Sequence, residues 1–162
     1  MWIRSPVFFW FVNVQHDYTT ALRYVEWKYA FGQNTGYFSS YLVPSGAYAF
    51  TDAVSGITFY GSSTFKDDDE NLLASTIGHE GVHRGQSRST RLKAKVSKIL
   101  YNLGIGNGYW WAVAELPAYE WEINNLGRTG LEGYFVLDVY NQYNFFADIL
   151  WNIAHPGRPK TK

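Results

Sequence analysis

His79-Glu80-Gly81-Val82-His83 is the one arrangement in this chain whose residue types and spacing specify a chemistry. On a helix, residues four apart stand one above the other on the same face. His79 and His83 can then present two imidazoles to one metal ion. Glu80 lies one step round, where its carboxylate can reach a water at that metal. Two neutral nitrogens at this spacing suit zinc. A third protein ligand would leave a fourth position for the water, and the site would be catalytic.

The flanks predict the helix that must position these residues. Asp67-Asp68-Asp69-Glu70 precedes Asn71-Leu72-Leu73-Ala74-Ser75-Thr76-Ile77-Gly78. Acidic side chains at a helix start cap free N–H groups and oppose the positive end of the dipole. Leu72, Leu73, Ile77 and Val82 follow a helical stripe. Gly85 supplies a stop just past the motif. The acidic run lacks the spaced oxygens of a calcium loop and reads as a solvated helix start.

Three carboxylates compete for the third ligand position: Glu115, Glu120 and Glu122. Glu115 follows the apolar run Trp110-Trp111-Ala112-Val113-Ala114. A carboxylate buried there needs a cation or metal beside it. Glu120 and Glu122 precede Asn124-Asn125 and read as solvent-facing, with Glu120 the second choice. Pro117 either kinks a helix that passes through it or sits in the first turn of one that begins near Glu115. The segment Arg84-Gly85-Gln86-Ser87-Arg88-Ser89 holds no third histidine, which disfavours the H-E-x-x-H-x-x-G-x-x-H plan. His16, before Asp17, and His155, before Pro156, lie far from the motif and read as ordinary surface residues.

On H-E-x-x-H and on Glu115-Leu116-Pro117-Ala118-Tyr119, the chain resembles the gluzincin class of zinc metallopeptidases. The resemblance covers roughly residues 57–125. In that class a Glu on a later helix, often in a Glu-x-x-x-Asp pattern, is the third ligand. This implies zinc held by His79, His83 and Glu115, with Glu80 as general base. Tyr119 stands where the class has an Asp that orients a ligand histidine, so another group must take that task here. The Tyr119 hydroxyl, one turn after Glu115, is a candidate stabiliser of the tetrahedral intermediate; packing as an aromatic is its simpler use. The resemblance implies a peptide or protein substrate, held by backbone pairing on an edge strand, for which Ile57-Thr58-Phe59-Tyr60 is the nearest segment. Small peptidases of this outline also occur as toxin domains of large secreted bacterial polypeptides, where an inhibitor or immunity protein would be the partner.

At 162 residues the chain suits one domain spanning residues 1–162. Its 14 basic and 14 acidic side chains balance, which argues against a broad nucleic-acid surface. The absence of cysteine excludes disulfides and every thiolate metal site. Seven Trp, thirteen Tyr and eleven Phe must line the core or a partner surface. Val7-Phe8-Phe9-Trp10-Phe11-Val12 is too short to span a membrane. It reads as a buried or partly exposed segment where the domain joins a larger polypeptide.

Residues 18–31 have helical periodicity, closed by Gly32. Residues 36–65 are aromatic and punctuated by Gly and Pro. Val54-Ser55-Gly56 reads as a hairpin turn. Beyond Glu70 the pattern is helical: the motif helix, a basic helix over about 90–103 with a wet face, a Glu115 helix and a last helix over about 131–153. The expected fold class is α+β, a small antiparallel sheet packed with several helices. Two non-peptidase classes fit the same residues, a catalytically inactive zinc-binding module and an aromatic-rich protein-interaction module.

Overall fold

The computed structural model describes residues 5–44, 47–65 and 69–157. The fold is α+β and mostly helical, and the motif helix lies at its centre. This helix, α3 (Glu70–Gly85), begins where the Asp69 side chain accepts hydrogen bonds from the Asn71 and Leu72 amides at 2.9 and 3.3 Å. Asp67 and Asp68 lie outside the described residues. The expected single stripe of α3 is wider in the fold. Leu73, Ala74 and Ile77 are fully buried, and Leu72, Ser75, Thr76, Gly78 and Glu80 are buried as well. Neighbours on several sides, rather than one apolar face, therefore hold this helix.

On one side stands α2 (Tyr18–Lys28), capped by Asp17, whose Leu22 and Val25 meet Leu73 and Ile77 in the main core. The short α1 (Pro6–Phe9) and the wide turn Trp10–Val14 close that core with Phe8 and Val12, while Val7, Phe9 and Trp10 are exposed. The apolar N-terminal run is thus half buried, as its pattern predicts. No helix among the described residues is long and apolar enough to cross a membrane.

The sheet comprises β1 (Tyr37–Phe38), β2 (Ala49–Thr51) and β3 (Thr58–Tyr60), in the order β1-β3-β2. The β2–β3 hairpin is antiparallel and turns through Gly56 at φ +72°. β1 pairs parallel to β3, so the sheet is mixed rather than antiparallel. This also corrects the substrate-strand expectation. Thr58–Tyr60 is the central strand, with both sides paired, and the free edges belong to β1 and β2.

The second half is a helical layer. α4 (Arg88–Asn102), α5 (Tyr109–Asn124), the single turn α6 (Leu126–Thr129) and α7 (Tyr134–Ala154) follow in order. α5 is the hub and packs on α3, α4 and α7. Pro117 lies inside α5, not at its start, with its ring on the exposed side. Its missing N–H frees one backbone carbonyl a turn earlier. α7 starts three residues later than the periodicity predicts, because Gly133 at φ +62° turns the chain just before it. The approach of α3 to α5 is set at Gly78. A Cβ there would lie 1.8 Å from the Trp121 ring, so only glycine lets the helices meet this closely.

Candidate metal centre

The α3–α5 contact brings together residues far apart in the chain. α3 contributes His79, Glu80 and His83. α5 contributes Glu115, Tyr119 and Glu122, which share one helix face at i, i+4 and i+7. His79 Nε2 and His83 Nε2 are 3.2 Å apart. Glu115 Oε2 lies 3.5 Å from the first and 3.3 Å from the second. Two ligands at zinc-like bond lengths and a tetrahedral angle stand ~3.3 Å apart. The three atoms form a triangle of that size, the cluster among the described residues that could hold a metal ion.

The outer contacts decide which atoms face the centre. His79 Nδ1 is 2.7 Å from Glu122 Oε1, and the Ser75 hydroxyl donates to Glu122 Oε2 at 2.5 Å. His83 Nδ1 is 3.3 Å from Gln86 Oε1, while Gln86 Nε2 donates to the Ala114 carbonyl at 2.7 Å. Both Nδ1 atoms therefore meet oxygen acceptors and carry the proton. Both Nε2 lone pairs then turn towards the Glu115 carboxylate. Converging lone pairs of this kind need a cation among them, so the donor set fits a divalent metal. Trp111 Nε1 donates to the other Glu115 oxygen at 3.3 Å and holds the carboxylate in place. Arg91 anchors the end of α3 by donating to the carbonyls of His83, Arg84 and Gln86.

Without metal, a proton must serve as the cation. Burial alone would lower the His79 pKa, but hydrogen bonds to Glu115 and Glu122 outweigh it and hold the imidazole up at about 10. His83 is also raised, against its own burial, by its bond to Glu115. Burial opposes the charge on Glu115, yet the two histidines keep its carboxyl far below the usual range. This has a measurable consequence. A folded pKa above the unfolded ~6.5 means that His79 contributes stability in full below pH ~6.5 and loses it as pH rises towards 10. Metal-free protein should therefore melt at progressively lower temperature over that window, and zinc-loaded protein should not. Zinc binding near pH 7.5 should release at least one proton, read as a buffer-dependent heat in calorimetry.

Glu80, the predicted base, is buried beside the centre, where the Thr51 hydroxyl of β2 donates to its Oε2 at 2.7 Å. Thr51 shares a 2.7 Å hydrogen bond with Thr58 of β3. The sheet thus reaches the motif through edge strand β2. Tyr119 packs edge-on against the His79 ring with centroids 4.7 Å apart, and stacks on Phe146 at 5.7 Å. Burial, reinforced by the Glu115 charge, keeps its phenol protonated far above its normal range. The Tyr119 ring is thus packed between His79 and Phe146. A cleft of about 200 Å³ opens beside these groups, walled by Glu80, Tyr119 and His79 with Leu72, Phe135 and Asp138.

The expectation for Glu122 is overturned. It is 7 % exposed rather than solvent-facing, because Ser75 and His79 satisfy its carboxylate inside the protein. Glu122 takes the histidine-orienting task that the resemblance assigns to an Asp at position 119. The only sequence signal for it is its spacing of seven from Glu115, two helical turns along one face. Glu120 points to solvent and drops out as the alternative ligand. His16 precedes the Asp17 cap of α2, and His155 stacks on Trp151 at the end of α7; neither joins the cluster. No protein family, curated protein or solved structure matches this chain.

Proposed function

We propose that this chain is a zinc-dependent peptidase of the gluzincin kind. The observation that carries the reading is the His79-His83-Glu115 triangle, with His79 and the adjacent Glu80 both lining a cleft. Bound zinc would supply Lewis acidity, polarising a scissile carbonyl and making a water acidic near neutrality. Glu80 takes a proton from the attacking water and passes it to the leaving amine. Thr51 holds the Glu80 carboxylate in position, and Glu122 and Gln86 keep both ligand imidazoles in the required tautomer. Tyr119 stays protonated and lines the cleft, so its hydroxyl is available as a donor to developing negative charge. Strand β2, with a free edge beside the motif helix, is the segment on which an extended peptide would pair.

Glu80, Glu122 and Asp138 line the cleft, and among the described residues no Lys or Arg does. Substrates with a basic side chain next to the scissile bond should therefore be cut fastest. A peptide-library digest, with metal content measured on the same protein, tests the reading. Cleavage that a chelator abolishes and zinc restores is expected. Asp138→Asn should lower the preference for basic over neutral residues roughly tenfold. Stoichiometric zinc with no cleavage of any peptide would leave a zinc-binding module, and no zinc at all would end both readings.

A further inference from the structure

We propose that α4 and the turn after it form a docking surface for an anionic lipid bilayer. The surface does not depend on the peptidase reading. Of α4's residues only Ala94 is buried. Leu92, Val96, Ile99 and Leu103, at i, i+4, i+7 and i+11, form an apolar stripe at about 180° from Ala94 on the helix wheel. The stripe thus points away from the protein. Val96 is 55 %, Ile99 52 % and Leu103 66 % exposed. Gly104, at φ +72°, turns the chain so that Ile105, 73 % exposed, extends the stripe at the tip. An apolar groove between Leu92, Val96, Leu100 and Trp110 continues it onto the start of α5.

Charge identifies the occupant. No acidic residue occurs between Gln86 and Ala114, although the whole chain is neutral. Arg88 and Lys95 flank the stripe on one side and Lys93 on the other, all exposed. None of these three forms an ion pair with a described residue. Lys93 sits over the half-exposed Trp110 ring at 4.2 Å, with Tyr109 beside it. An outward apolar stripe between cationic flanks is the pattern of a helix lying in a membrane interface, with lysines reaching up to headgroup phosphates. Trp and Tyr at the border suit the same depth. Protein interfaces deplete lysine, which here supplies most of the flank, so a bilayer fits better than an acidic protein. α7 itself carries no Lys or Arg beside its exposed apolar residues. They are interrupted by Asp138 and Asp148.

The test is co-sedimentation of the full chain with phosphatidylcholine vesicles, with and without phosphatidylserine. Binding is expected only when phosphatidylserine is present, and should fall as salt rises. Leu103→Ser with Ile105→Ser should reduce partitioning roughly tenfold. Both side chains are exposed, so the melting temperature should not move. Lys93→Gln and Lys95→Gln should each reduce it about fivefold. Failure to bind anionic vesicles at low salt overturns the proposal. So does undiminished binding by the serine variant, because charge alone would then account for it. Concentration-dependent self-association that the serine variant abolishes would overturn it too, by placing a second copy on the stripe.

Discussion

Glu80→Gln is expected to bind zinc as the parent protein does and to lose hydrolysis by roughly a hundredfold to ten-thousandfold in kcat. The amide keeps the shape of the side chain and can still accept the Thr51 hydroxyl through its oxygen. It cannot take a proton from water. Because the three ligand atoms come from other residues, metal content should be unchanged. Steady-state kinetics and metal analysis on one preparation separate the two effects. Cleavage at a near-parental rate would remove Glu80 from the mechanism, and loss of zinc would make it a structural residue of the centre instead.

The second large effect concerns the carboxylates of α5. Glu115→Ala is expected to abolish stoichiometric zinc binding. It removes one corner of the triangle and leaves two imidazoles, which make an incomplete site. Glu122→Ala should weaken zinc about 10–100-fold, the usual cost of losing a partner that orients a ligand histidine. It also leaves the buried Ser75 hydroxyl without its acceptor, so a lower melting temperature should accompany it. Glu120→Ala, on the exposed side of α5, should change neither. A zinc titration across the three variants reads this order directly. Equal, small losses for Glu115→Ala and Glu120→Ala would place the third ligand elsewhere.

These two experiments probe parts of the site that differ in how they can be read. The histidine pair and Glu80 depend on helical spacing alone. Once the acidic run of residues 67–70 and the stripe of Leu72, Leu73, Ile77 and Val82 predict a helix, the positions of His79, Glu80 and His83 on it follow. Glu115 was legible for a different reason, since a carboxylate after a long apolar run needs a cation wherever that run is buried. The α2 helix, the β2–β3 hairpin and the order of the later helices were likewise local, carried by caps, turn glycines and periodicity.

The chemistry within single elements is therefore written in residues close together along the chain. How the elements meet was decided by tertiary structure. Whether Glu122 faces water or His79 depends on the roll of α5 against α3, which the Gly78–Trp121 contact sets. Whether Thr51 touches Glu80 depends on which strand ends at the edge. That followed from β1 pairing in parallel with β3, a contact between segments with no shared turn. The fate of α4 is of the same kind. Its basic residues read as the wet face, but packing buried only Ala94 and left the apolar stripe facing outward as well. A helix or a turn is specified by neighbours in sequence, whereas these outcomes rest on contacts between distant residues, and no local pattern encodes them.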